Sequence, residues 1–154
     1  YRWYDENDIE PQYDFGYGLS YTTFEYSDLT VEESTEGSDT VGYDVTFTVT
    51  NTGDTAGTET AQVYLGEAEV PEGVQMAKYQ LCGYERIEDL QPEESRTVTV
   101  HVDERSLSYW NTDGELQERE DGTKDKWTVA EGERTVYVGA ASDNLILQED
   151  INVQ

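Results

Sequence analysis

Carboxylates are the reactive groups this sequence holds in quantity: 35 of its 154 residues are Asp or Glu, against one histidine and one cysteine. Two carboxyl groups hydrolyse a glycosidic bond when held about 5–5.5 Å apart for retention or about 6.5–9.5 Å apart for inversion. Pairs such as Glu93 and Glu94, or Asp103 and Glu104, carry no weight for that chemistry, because a chain so rich in acid supplies them by chance. A catalytic acid also needs an apolar setting that raises its pKa, and these acids lie in polar runs. Seryl and cysteinyl triads are poorly supported, since His101 alternates with Val100 and Val102 and is expected to face solvent on a strand. One His and one Cys do not make a zinc site. Asp5-Glu6-Asn7-Asp8 and Asn111-Thr112-Asp113-Gly114-Glu115 cluster oxygens of the kind calcium takes, but neither has the EF-hand spacing, and they read as solvated acid runs. Cys82, between Leu81 and Gly83, has no disulfide partner and reads as a small buried hydrophobe. No catalytic residue, metal or cofactor is assigned to the chain.

The elements that would position any site follow a period of two. Val41, Tyr43, Val45, Phe47 and Val49 occupy alternate positions, the pattern of a half-buried strand, which stops at the turn formers Asn51-Thr52-Gly53-Asp54. A second strand follows with Ala61, Val63 and Leu65 inward. Thr22 to Val31 changes phase near Asp28, which predicts a bulge or bend. Lys78 to Ile87 is strand-like around Leu81 but interrupted by Gly83, and Thr97 to Val102 puts Val98, Val100 and Val102 on one face. Trp127 to Val129, Thr135 to Gly139 and Leu145 to Val153 complete the set, with Trp127 expected in the core. Asp103 to Trp110 suggests one helical turn, and Asn111 to Lys126 a long polar loop. About seven short strands with polar turns and no sustained helical period predict an all-β, immunoglobulin-like antiparallel sandwich.

Before the first strand lies Phe15 to Phe24, F-G-Y-G-L-S-Y-T-T-F. Two glycines among four aromatics describe backbone pressed against something large, since glycine permits positive φ and close approach. Tyr1-Arg2-Trp3-Tyr4-Asp5, Ile9-Glu10-Pro11 and this ten-residue run resemble the passage of family 3 glycoside hydrolases that leaves the second catalytic domain and enters the fibronectin type III-like domain. Asn51-Thr52-Gly53, Leu81-Cys82-Gly83-Tyr84, Pro92-Glu93-Glu94, Asp103-Glu104-Arg105 and Val138-Gly139 follow in the order of that domain, so the resemblance spans nearly the whole chain. The chain departs from the family in having Tyr13-Asp14 before Phe15-Gly16, where Phe-Pro is common, and Val70-Pro71-Glu72-Gly73 in place of a Pro-x-Pro loop.

The resemblance implies a division into a lead-in, residues 1–20, and a fibronectin type III-like sandwich, residues 21–154. It implies no catalytic group here, because the family's Ser-Asp-Trp-like nucleophile motif and its acid/base Glu belong to other domains. It implies a brace for the catalytic domains of a β-glucosidase or β-xylosidase-like parent, made by Tyr1, Trp3, Tyr4, Phe15, Tyr17, Leu19 and Tyr21. Two other roles compete: a carbohydrate-binding module using Trp3, Tyr4, Tyr109 and Trp110, and a self-associating surface or filament domain.

Net charge bounds the partners. At -26 the chain repels nucleic acid, whose binding needs clustered Lys and Arg, and anionic membrane surfaces with it. No run approaches the roughly 18 apolar residues of a spanning helix, no basic-then-apolar signal opens the chain, and a start at Tyr1 without Met reads as a fragment. The Debye length falls from about 10 Å at 0.1 M salt to about 3 Å at 1 M, so molar salt screens the self-repulsion. Few Lys and many Thr agree with a halophile's surface, and favour the cytoplasm of a salt-accumulating cell over export.

Overall fold

The computed structural model describes residues 1–36, 39–118 and 122–154. Seven long strands form two antiparallel sheets. β1 (Phe24–Glu36), β2 (Asp39–Asn51) and β5 (Ser95–Asp103) make one, in the order β1-β2-β5. β3 (Gly57–Gly66), β4 (Tyr79–Leu90), β10 (Gly132–Ala141) and β11 (Asn144–Val153) make the other, in the order β11-β10-β3-β4. The sandwich is the one that the sequence predicts, and each of its seven strands overlaps a predicted one.

The alternating residues of β2 lie where the period places them, with Tyr43, Val45, Phe47 and Val49 buried against Ala61, Val63 and Leu65 of β3 and Val136 and Val138 of β10. The opposite face of β2 is a polar ladder to β5. Thr46 pairs with Thr99 at 2.8 Å, Thr48 with Thr97 at 3.0 Å, Thr50 with Ser95 at 2.7 Å, and the Asp44 carboxylate with His101 Nδ1 at 2.7 Å. Cross-strand pairs of this kind stabilise a sheet from its solvent side. They give the threonines and the single histidine a structural use. The phase change in β1 is a bulge: its register to β2 shifts between Ser27 and Thr30, and Asp28 has φ 55°.

α2 (Glu104–Leu107) is the expected helical turn, capped by the Asp103 carboxylate, which accepts from Ser106 N at 2.8 Å. It delivers the chain to β6 (Ser108–Trp110), which pairs with β9 (Trp127–Val129) as a separate two-stranded ribbon. Trp127 is thereby corrected: it lies half-buried on this ribbon, packed on Trp110, outside the main hydrophobic cluster. The 111–126 segment is no featureless loop, since β7 (Gln117–Glu118) and β8 (Lys124–Asp125) pair within it, while 119–121 lie outside the described residues.

The lead-in differs most from expectation. It opens with a short helix, α1 (Arg2–Glu6), and then lies along the outer face of β3 and β10. Gln62 and Tyr64, which alternate with the inward residues of β3 and belong outside by period, are therefore also buried. β3 is covered on both faces.

Candidate interaction surface

The glycines of the F-G-Y-G run separate what this chain fixes from what it leaves open. Gly16 has φ +89°, and a Cβ there would collide with the Gln62 amide. The chain's own packing dictates glycine at that position. Around it, Ser142 N donates to Phe15 O at 2.9 Å, Gln62 Nε2 donates to Ala140 O at 2.9 Å, and the Tyr64 hydroxyl donates to Gln62 Oε1. The ring of Tyr1 meets the edge of Tyr64 at 5.8 Å and tilts over Phe15 at 5.6 Å, and its hydroxyl accepts from Leu81 N at 2.7 Å. Burial drives the Tyr64 hydroxyl far above its ordinary pKa, with the nearby Tyr1, Asp5 and Asp143 adding to the effect. At Gly18 a Cβ would meet nothing within 4 Å, so no contact among the described residues calls for glycine there.

Most of the large apolar side chains of the lead-in stay uncovered. Leu19 is 91% exposed and Tyr21 100%, while Trp3 is 63% exposed, and Tyr4, Phe15 and Tyr17 are exposed as well. Tyr13 stacks obliquely on Tyr17 at 5.2 Å, and Trp3 meets Tyr4 edge-on at 5.4 Å, so the rings form clusters without being covered. Of the twelve large hydrophobics exposed among the described residues, eight fall within the first 21 positions. Tyr1 is the exception among the seven residues expected to form the brace, being half-buried on its own sandwich.

The junction from lead-in to β1 is fixed by Asn51. Its side chain is wholly buried. The carbonyl oxygen accepts from Thr22 Oγ1 at 2.6 Å and Gly53 N at 3.0 Å, and the amide donates to Thr55 O at 2.9 Å and Leu90 O at 2.8 Å. Its backbone pairs with the Pro92-Glu93-Glu94 turn through Glu94 O and Glu93 N. Periodicity missed this residue, because a hydrogen-bonded core amide has no apolar signature; an Asn ending a strong strand was the available signal.

Several of the other groups singled out in the sequence have structural partners. Glu94 accepts from Gln91 N at 2.8 Å and from Arg96 at 2.8 Å, which hold its carboxyl below the usual range. Asp8 pairs with Lys78 at 2.9 Å and Asn7 bonds back to Trp3 O. Asn111 turns back on Gly114, whose N–H it accepts at 3.2 Å. Cys82 packs partly buried against the core, and burial raises its thiol to about 11. Tyr109 is half-buried and Trp110 exposed on the β6 ribbon, so the proposed sugar-contacting residues divide between this ribbon and α1, where Trp3 and Tyr4 lie.

The family model for the fibronectin type III-like domain matches residues 59–142. The chain belongs to that family. As a fibronectin type III-like domain it is 38% identical over 153 residues to thermostable β-glucosidase B of Acetivibrio thermocellus, covering 99% of this chain and 18% of that protein. It is 37% identical over 170 residues to probable β-glucosidase D of Aspergillus niger, covering all of this chain and 21% of that one. Among solved structures it superposes on DesR, a β-glucosidase from Streptomyces venezuelae in complex with D-glucose, with TM-score 0.85 and 36% identity over 99% of this chain and 18% of that one. β-Glucosidase 3B from Thermotoga neapolitana gives TM-score 0.79 and 38% identity over 99% and 19%. The domain thus spans about a fifth of the length of the curated relatives it matches.

Proposed function

We propose that this fibronectin type III-like domain is the non-catalytic brace of a family 3 glycoside hydrolase acting on β-glucosides or related β-xylosides. Residues 1–20 serve as the strap and residues 21–154 as the sandwich it is strapped to. The observation that carries the reading is the concentration of exposed large hydrophobics in the first 21 residues, since apolar patches beyond a few hundred Å² mark interaction surfaces. Trp3, Tyr4, Phe15, Tyr17, Leu19 and Tyr21 pack against the catalytic domains, with Tyr1 as the pin that holds the strap to β3 and β4. Positioning has kinetic weight, because a displacement of about 1 Å at an active site costs on the order of a hundredfold in rate.

Two settings of one double substitution test this. Tyr17→Ala with Leu19→Ala leaves the isolated domain within about 0.5 kcal/mol of the parent sequence, as surface changes do. In the full-length hydrolase the same pair lowers the unfolding free energy by about 3–5 kcal/mol, one to two buried side chains' worth, and lowers turnover. A full-length enzyme with unchanged thermal midpoint and turnover would overturn the brace.

The acidic surface we read as adaptation to a salt-rich solvent, with the cytoplasm of a salt-accumulating cell as its setting. The thermal midpoint of the domain rises between dilute buffer and molar KCl, by about 2–4 °C for each kcal/mol of repulsion relieved. A midpoint flat or falling across that range removes the reading.

A further inference from the structure

The β6–β9 ribbon, whose tryptophans take no part in the main core, forms one wall of a groove of about 320 Å³. The other wall is the irregular stretch from Gly73 to Ala77, with Arg2 of α1 at its end. The volume is at the lower end of those that hold small ligands, about 300–1,000 Å³. Trp110 is 45% exposed, yet held in place. Its ring meets Trp127 edge-on at 5.3 Å and 70°, and Trp127 is backed by the Arg105 guanidinium, 3.2 Å from the ring centroid. An aromatic face kept exposed and already oriented loses little side-chain freedom when a ligand covers it.

The lining differs from the rest of the surface in charge. In a chain with 35 acidic residues of 154, none of the described residues that line this groove is Asp or Glu, and Arg2 is its one charged group. The lining also includes Gln75, Gln80 and Thr112, residue types with donor and acceptor capacity, with the Gln80 amide donating to Ser106 O at 3.5 Å. A cationic ligand finds no carboxylate here, and an anionic one meets the field of a chain at -26. A neutral ring with an apolar C–H face and hydroxyls at its rim matches a stacking platform flanked by amides and a hydroxyl.

We propose that the groove between the 73–77 stretch and the β6–β9 ribbon is a subsite for a neutral sugar ring, with Trp110 as its platform. This subsite is separate from the brace, since none of Trp3, Tyr4, Phe15, Tyr17, Leu19 and Tyr21 lines the groove. Cellotetraose and laminaritetraose titrated into the 154-residue chain, followed by tryptophan fluorescence and by amide NMR shifts, test it. Saturable binding of either sugar is expected, with shifts centred on 73–80 and 108–112. Because the contacts are uncharged, affinity stays the same in dilute buffer and in molar NaCl. Trp110→Ala weakens binding by at least about tenfold, Trp110→Phe retains most of it, and Trp3→Ala leaves it unchanged. Gln75→Ala, an exposed position off the ribbon, weakens it without disturbing the fold, so a misfolded Trp110 variant does not leave the matter open. Absence of a saturable response to both sugars overturns the subsite. So does undiminished binding in folded Trp110→Ala, or affinity that collapses in salt. The brace is read in the full-length enzyme through Tyr17 and Leu19, so either proposal can fail without the other.

Discussion

Asn51→Ala is expected to destabilise the domain by about 3–5 kcal/mol, a large share of the roughly 5–15 kcal/mol that holds a domain folded. The substitution removes two donors and one acceptor that serve four partners, Thr22 Oγ1, Gly53 N, Thr55 O and Leu90 O. Leu90 is fully buried, so its carbonyl has no route to water once the amide is gone, and an unsatisfied buried group costs about 1–3 kcal/mol. Thr22→Val supplies the comparison. It deletes one of the four bonds at a half-exposed residue and costs about 1 kcal/mol. Chemical denaturation of the two variants checks the order. A loss below about 1 kcal/mol for Asn51→Ala contradicts the hub assigned to it. The junction matters for the strap as well, because Gly53 packs directly on Thr22 and Thr52 N donates to Thr23 O at 2.8 Å, so the turn that Asn51 organises sets where the lead-in leaves the sandwich.

Sequence pattern is informative here where one face of a strand meets one core. β2 is the clearest case: Tyr43 to Val49 alternate with threonines because one side packs and the other pairs with β5. The bulge at Asp28 is legible for the same reason, since a bulge displaces the inward set by one position. Pattern fails where a remote segment covers the second face. Gln62 and Tyr64 are buried by a lead-in whose Gly16 and Tyr1 lie 46 and 63 positions away along the chain, which no local period encodes. A trace remains in Ala61-Gln62-Val63-Tyr64-Leu65, where a large aromatic takes an outward position, as in strands covered on both faces. Trp127 is a different failure. Its position two residues before Val129 suits a core strand, but the strand belongs to a ribbon that begins only after α2 turns the chain. Of the candidate surface, the residue types of the strap were legible as an aromatic and glycine run. The division between Gly16, which this chain requires, and Gly18, which it does not, needed coordinates.

Arg134 was missed by pattern reading altogether, and its removal is the second large effect expected. The residue is 2% exposed on β10, and its guanidinium donates to Gly66 O from Nε at 3.0 Å and Nη2 at 2.7 Å, and to Leu107 O from Nη1 at 3.3 Å. Among the described residues its hydrogen-bond partners are carbonyls, and burial lowers its pKa to about 10. The sign follows: the folded state binds this proton less tightly than the unfolded chain, so the penalty for burying the charge is complete below about pH 10 and constant through the neutral range. What the charge secures is geometry. Gly66 ends β3 and Leu107 ends α2, so one side chain ties the sandwich to the element that launches the β6–β9 ribbon. Arg134→Ala opens a cavity and strands both carbonyls, for an expected loss of about 3–5 kcal/mol. Arg134→Met fills most of the space and relieves the buried charge, so it costs less, about 1–3 kcal/mol. If the tie is what holds the ribbon, both variants loosen the Trp110–Trp127 pair before the sandwich melts, and tryptophan fluorescence then shifts ahead of far-ultraviolet circular dichroism on heating. Coincident transitions in both variants would mean that the ribbon is held by its own contacts and that Arg134 serves the sandwich alone.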